Sequence, residues 1–219
     1  MNILAWQEHA RQRRASEPPG PAKTPDRMYW TPHPDHAGPG AEILGNPVSG
    51  LVIELGCGPG HHLAHLVEAH GITGVGVDIV TGQIERARTL YGYLPGITFV
   101  TSDATEFLRE HREAYAVCYS VFGAVGLTPP DLLLSAISAA LRPSGLLAFS
   151  VPHPSRRHRD NTLLLPSGDK VPIQRWEPAI PDWMTLLAAS DLEVDEVRHL
   201  TGPDLADGPT TLLIVAHKP

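Results

Sequence analysis

The sequence predicts an α/β fold built on a doubly wound, mostly parallel sheet, and three observations predict it. Between residues 51 and 151, short β-branched apolar runs alternate with runs whose apolar residues recur at helical spacing. Strands that alternate with helices form right-handed βαβ units, which bury a parallel sheet on both faces. The first apolar run ends in the glycine turn Gly56-Cys57-Gly58-Pro59-Gly60, at the place where such sheets bind ligands. The last two apolar runs, near 192–200 and 210–219, are joined by a Gly/Pro turn without a helix, so they should pair antiparallel.

Each element has a local cause. Residues 3–15 carry a partial apolar face of Ile3, Leu4, Trp6 and Ala10, followed by Arg11, Arg13 and Arg14, which suits a short amphipathic helix. Residues 16–40 are broken by prolines, which fix φ and stop any helix, so they form an irregular arm carrying Tyr29, Trp30, His33 and His36. Residues 51–55 are the first strand, and Leu63, Leu66 and Val67 mark a helix that Gly71 ends. A strand at 72–78, a helix at 81–91, a strand at 97–103 and a short helix at 104–112 follow, with a fourth strand at 115–123. Thr128 reads as an N-cap with Pro129 at the first helical position and Asp131 at the third, opening a helix through Leu133, Leu134, Ile137 and Leu141. The turn Arg142-Pro143-Ser144-Gly145 stops it, and 146–151 are the fifth strand. Residues 152–180 are rich in breakers and charges, as expected of an insertion or loose hairpin over one end of the sheet, and a helix follows at about 181–190. The chain therefore divides into an N-terminal helix and proline-rich arm or lid, 1–47, and a main domain, 48–219, with 152–180 as a substrate-side insertion.

Composition removes several function classes. With 17 basic against 24 acidic residues the formal net charge is -7, which disfavours long nucleic acid as a partner. The two cysteines, Cys57 and Cys118, sit in apolar surroundings and at neither disulfide-framework nor metal spacing, which suits a reducing compartment. Polar residues interrupt the apolar ones at the N-terminus, and no apolar run is long enough to span a membrane, so the expected location is the cytoplasm.

The glycine turn carries the functional argument. Gly56, Gly58 and Gly60 let a ligand approach the backbone, and their spacing is G-x-G-x-G; a dinucleotide fingerprint would read G-x-G-x-x-G, whereas His61 follows Gly60 here. Asp78 ends the second strand 18 positions after Gly60, where a carboxylate can accept from both hydroxyls of a ribose. Asp103 ends the third strand, where a carboxylate could accept from an exocyclic adenine amine. Three acidic groups at successive strand ends, Glu54, Asp78 and Asp103, would repel a pyrophosphate and suit a cationic nucleoside. The bland alternatives are a turn cap for Glu54 and solvated strand ends for the two aspartates.

Over roughly residues 48–151 the chain resembles the class I S-adenosylmethionine-dependent methyltransferases, small-molecule type. The resemblance rests on five stretches in the family's order: VIELGCGPG, GVDIV, TSDATEF, YSVFGAVGLTPPDLLL and LRPSGLLAFSVPHP. It implies a Rossmann-like, seven-stranded sheet, with S-adenosyl-L-methionine as cofactor and S-adenosyl-L-homocysteine as product. By the same resemblance the Gly56, Cys57, Gly58 and Gly60 loop would contact the methionine and ribose portions, and Glu54 would support the loop or the ammonium. Asp78 with Ile79 would hold the ribose, Asp103 with Ala104 the adenine, and Ser120 and Val121 would line the floor near the reactive methyl. Ser144 departs from the paired glycines of many relatives and leaves the turn intact.

Methyl transfer from a sulfonium needs alignment and exclusion of water more than a strong acid or base. Where the acceptor must lose a proton, the candidate base is His153, just after the fifth strand, with His33, His36 and His158 as others. Tyr29, Trp30, His33, His153 and Trp176 are the candidate acceptor contacts; Tyr29 and Trp30 could close a lid or pack on the sheet, and Trp176 could wall the pocket or join the core. Arg156, Arg157 and Arg159 are either a solvated charge run or a site for an acidic acceptor group. His61, His62 and His65 read as a solvated helix face, and no metal is expected, because matching acidic or cysteine ligands are missing at fixed spacing. The expected function is methylation of an oxygen or nitrogen of a small metabolite, with a protein or RNA methyltransferase and a non-catalytic cofactor-binding regulator as alternatives.

Overall fold

The computed structural model describes residues 2–18, 20–36, 38–45, 50–156, 161–203 and 208–219. Strands β1 (Leu51–Leu55), β2 (Thr73–Asp78), β3 (Ile97–Thr101), β4 (Tyr115–Val121) and β5 (Leu141–Pro152) are parallel, and β9 (Pro209–His217) and β8 (Glu193–Thr201) close the sheet antiparallel. The order is β3-β2-β1-β4-β5-β9-β8. It reverses direction between β1 and β4, and that switch point opens a crevice at the strand C-termini. The glycine turn leaves β1 at that crevice.

Period-two alternation sorts β1 between the two faces. Val52 packs with Leu63 and Leu66 of α2 (His61–His70) and Ile84 of α3 (Thr81–Tyr91), whereas Ile53 and Leu55 pack with Leu133, Leu134 and Ile137 of α5 (Pro130–Ala140) and Trp183 of α6 (Ile180–Ala189). Helix α4 (Ala104–Arg109) is shorter than the sequence suggests; Glu110 caps it and the chain turns before Arg112. Helix α5 starts one residue later than expected, with Pro129 as N-cap and Pro130 at N1, because two prolines in series place the extended residue at Pro129 and not at Thr128. The turn at Ser144, with φ of 59°, interrupts β5 without ending its pairing.

The outlying segments form a third, small core. Helix α1 (Ile3–Ser16) lays Ala5 and Trp6 on Leu163, Leu165 and Ile173 of the hairpin β6 (Thr162–Leu164) and β7 (Lys170–Pro172), so the insertion is a hairpin that meets the N-terminal helix. Salt bridges from Arg14 to Glu85 and from Glu17 to Arg86 fix the other end of α1 to α3. Arg86 is buried, and a buried guanidinium without its carboxylate would be strongly destabilising, so Glu17 is a firm anchor. Helix α1 thus bridges the crevice from one side to the other.

Candidate active site

The crevice is a cleft of about 960 Å³, with β1, β2, β3 and β4 ends as floor and α1 with the insertion as roof. The floor begins at Gly56, whose φ is 71° and whose added Cβ would lie 2.5 Å from the Ala124 amide nitrogen, so both conformation and space demand glycine. The Gly56 and Cys57 amides donate to the Val77 carbonyl at 2.8 and 3.0 Å, folding the loop over the end of β2. Gly58 also has positive φ, and a Cβ there would meet nothing within 4 Å, so its backbone faces open cleft. Gly60, the N-cap of α2, sits behind the lining against the Phe99 ring.

Asp78 has a role the sequence reading did not assign. Its Oδ2 accepts from the Gly58 amide at 2.9 Å and its Oδ1 from the Val80 amide at 2.8 Å, so it splints the glycine loop while lining the cleft. Burial pushes its carboxyl pKa up, against those two hydrogen bonds. Asp103 is the N-cap of α4: its Oδ1 accepts from Thr105 and Glu106 amides at 2.8 and 3.1 Å, leaving Oδ2 without a partner among the described residues. Ile79, Ala104 and Val121 also line the cleft.

Glu54 is the sharpest clue to what the cleft holds. It is 2% exposed, Oε1 lies 3.3 Å from His62 Nδ1, and Oε2 has no hydrogen-bond partner among the described residues. An unpaired buried carboxylate oxygen is costly, and a cationic ligand group in the cleft removes that cost. Beside it the Tyr119 phenol, whose hydroxyl likewise meets no hydrogen-bond partner of good geometry among the described residues, is pushed well up, first by burial, then by the Glu54 charge and by its approach to the Glu54 carboxylate. The open backbone at Gly58, the partnerless Oδ2 of Asp103 and this carboxylate fit an aminoacyl sulfonium nucleoside.

The roof contributes residues the sequence reading passed over. Trp6, His9 and Arg13 recur at three- and four-residue spacing on α1 and all line the cleft. That spacing was visible, but a weakly apolar helix stripe gave no reason to look for a site. His9 is held neutral, its pKa lowered by burial and then by Arg13 and Arg86. Asn2 clasps the insertion, donating from Nδ2 to the Gln174 carbonyl at 2.6 Å and accepting the Gln174 amide on Oδ1 at 2.7 Å. Trp176 lines the cleft beside this clasp, with its amide donating to the Gly126 carbonyl at 3.0 Å. Phe122, a non-glycine residue at φ 48°, also lines the cleft in a strained conformation of the kind stored at functional sites.

Several expected contacts stand elsewhere. Ser120 is fully buried and donates to the Leu55 carbonyl at 2.8 Å, bracing the ends of β1 and β4 from behind. Trp30 is 0% exposed, donates to the Gly40 carbonyl and packs edge-on to Tyr119, so it belongs to the core and not to a lid. Tyr29 lies against His62 and under Arg27, and His33 sits by Gly202; neither lines the cleft. His153 is 3% exposed and faces His199 of β8, because antiparallel β9 flanks the end of β5 and turns that side chain away from the cleft. Nor is α2 a solvated histidine face: His61 Nδ1 meets the Tyr91 hydroxyl at 2.7 Å and His65 Nδ1 meets the Pro25 carbonyl at 2.9 Å. Burial lowers the His61 pKa to about 4. Arg157, His158 and Arg159 lie outside the described residues, and Arg156 is ion-paired with Glu177. Among the described residues no three His, Cys, Asp or Glu side chains converge on a metal position.

The strand order and the strand-end cleft are those of a Rossmann-like α/β fold, the fold shared by solved S-adenosylmethionine-dependent methyltransferases. A family described as a methyltransferase domain matches residues 52–145. It is similar to trans-aconitate 2-methyltransferase of Paracidovorax citrulli (strain AAC00-1), 29% identical over 170 residues that cover 72% of this chain and 64% of that protein. A 2-ketoarginine methyltransferase of Streptomyces arginensis is 33% identical over 107 residues, covering 44% of this chain and 30% of that one. The chain thus spans under two thirds of the length of both relatives. The 1,6-didemethyltoxoflavin-N1-methyltransferase of Burkholderia thailandensis, solved with bound 1,6-didemethyltoxoflavin and S-adenosylhomocysteine, shares the fold at a TM-score of 0.61 and 20% identity, over 81% of this chain and 76% of that chain.

Proposed function

We propose that the protein methylates an oxygen or nitrogen of a small metabolite, in the cytoplasm and in specialised metabolism, with S-adenosylmethionine as methyl donor. The observation that carries this reading is the roofed cleft with an orphaned buried carboxylate, Glu54, on its floor. Bound there, the cofactor supplies an electrophilic methyl on a sulfonium. The Gly56–Gly58 backbone and Glu54 hold its amino-acid end, Asp78 its ribose, and Asp103 Oδ2 with Ala104 its adenine. Helix α1 and the insertion exclude water, which matters more to such a displacement than acid or base strength.

A small acceptor is favoured by the clasp between Asn2 and Gln174, which covers part of the cleft with α1 and the insertion. The activities for which the two relatives are named, on trans-aconitate and 2-ketoarginine, agree with it. Trp6, Trp176 and Leu127 offer apolar walls, and His9 of the roof is an imidazole on the cleft lining, where His61 and His62 also stand, that can take a proton where the acceptor must lose one. Two buried free thiols, Cys57 and Cys118, suit a reducing cytoplasm.

The test is a mass-spectrometric screen of small carboxylic acids, phenols and amines, run beside peptide and RNA pools with labelled cofactor. The expected result is label in a small molecule and none in the polymers. Label in peptide or RNA would overturn the small-acceptor reading.

A further inference from the structure

The buried histidine at the end of β5 stands outside the cleft, yet hydrogen bonds connect it to the cleft wall. Ser155 approaches the His153 Nδ1 with its backbone amide at 3.2 Å and its hydroxyl at 2.8 Å. A backbone amide only donates, so this bond makes Nδ1 an acceptor and puts the ring proton on Nε2. That Nε2 lies 2.8 Å from Nδ1 of His199 on β8, which therefore accepts. One neutral tautomer of each ring satisfies all of these bonds. A proton added to His153 Nδ1 faces the Ser155 amide, and one added to His199 Nδ1 faces the His153 N–H; either addition sets donor against donor.

The same histidine is tied to the insertion. Its carbonyl accepts from Arg156 Nη1 at 3.2 Å and from the Arg156 amide at 3.1 Å. Arg156 forms a two-pronged pair with Glu177, Nη1 to Oε2 at 2.9 Å and Nη2 to Oε1 at 2.6 Å, with both side chains largely buried at 13% and 11% exposure. Glu177 follows Trp176, the residue that lines the cleft next to the Asn2 clasp. A bidentate arginine–carboxylate pair fixes direction as well as distance, so the placement of Trp176 depends on where Arg156 is held.

We propose that the His153–His199 pair is a proton-sensitive clamp that positions Trp176 in the cleft wall through Arg156 and Glu177. Ser155, Arg156 and Glu177 of the insertion and His199 of β8 are the polar groups that face or adjoin the clamp, the β9 backbone adds the Thr210 carbonyl that accepts the His153 amide, and His33 of the arm stands by Gly202 just beyond β8. Burial lowers the His153 pKa, and His199 and Arg156 lower it further, so His153 is held neutral at neutral pH. These are positioning residues, and the clamp acts on the wall whatever acceptor the cleft takes.

The experiment is intrinsic tryptophan emission of the full chain followed from about pH 8 to pH 5, across the histidine range. Four proteins are compared: wild type, Trp176→Phe, His199→Asn and Glu177→Gln. Asparagine can still accept from His153 Nε2 but does not titrate. The expected result is a pH-dependent emission shift in wild type that Trp176→Phe loses and that His199→Asn loses or moves to higher pH, because the His199 charge no longer opposes protonation of His153. Glu177→Gln should show the shifted emission already at pH 8. Circular dichroism at pH 8 establishes that each variant is folded, and rescue of the neutral-pH spectrum by His199→Asn separates loss of titration from loss of structure. A wild-type emission flat in this range, a transition that survives Trp176→Phe, or one left at the same pH in His199→Asn would overturn the clamp.

Discussion

The floor and the roof of the cleft are built on opposite plans. The floor comes from contiguous turns at the ends of β1, β2 and β3, where each ligand-facing group sits within a few residues of a strand. The roof is assembled from residues 2–13 and 174–176, far apart in sequence and joined by the Asn2–Gln174 clasp and a small apolar core. The floor is rigid because its carboxylates double as structural splints, as Asp78 does for the Gly58 amide. The far end of the roof is anchored on buried Arg86, but its clasp is a pair of exposed hydrogen bonds between Asn2 and Gln174, the kind of contact that opens at low cost. The proposed cofactor site is thus a property of the sheet, and access to it a property of the appendages.

The largest effect should come from breaking the floor. Gly56→Ala forces a Cβ to 2.5 Å from the Ala124 amide and into a left-handed conformation, and should destabilise the protein by about 2–4 kcal/mol in urea unfolding and abolish cofactor-product binding.

Acid should act next, through His61 between α2 and α3. Its folded pKa of about 4 lies below the ordinary value of 6.5, so the folded state binds the proton less readily than the unfolded one. The stability this group contributes is complete above about pH 6.5 and is lost progressively as pH falls toward 4, by of order 2 kcal/mol after allowance for its partial exposure. His61→Gln should flatten that part of the urea-midpoint-against-pH curve, and an unchanged curve would remove His61 as its cause.

The smallest effect should come from the roof. Asn2→Ala removes two exposed hydrogen bonds worth about 1 kcal/mol each at most, so stopped-flow release of S-adenosylhomocysteine should quicken about threefold to tenfold. The thermal midpoint should scarcely move. A large loss of stability instead would mean that the roof is part of the folding core.

This contrast also explains what the sequence could tell. The glycine turn and the acidic strand ends were legible because strand, turn and carboxylate lie within one short stretch, and backbone direction alone brings them to the crevice. Trp30 was not, because a proline-rich arm reveals irregular backbone but not which of its side chains becomes buried against Tyr119. The orientation of His153 depends on β9 pairing beside β5, a contact between residues about sixty positions apart, and nothing near His153 announces it. Trp6, His9 and Arg13 had the right spacing on α1, but their common face acquires meaning only when α3 and the hairpin hold the helix across the cleft. Proximity created by tertiary packing is what remained unread.

The most direct measurement is calorimetric titration of S-adenosylhomocysteine into the wild type and into Asp78→Asn, whose urea midpoint is followed in parallel. The expected result is micromolar binding by wild type, a loss of about tenfold or more in the variant, and a folded variant at the same temperature. Absence of binding by a folded wild type, or equal affinity in Asp78→Asn, would contradict a cofactor site built on the strand ends.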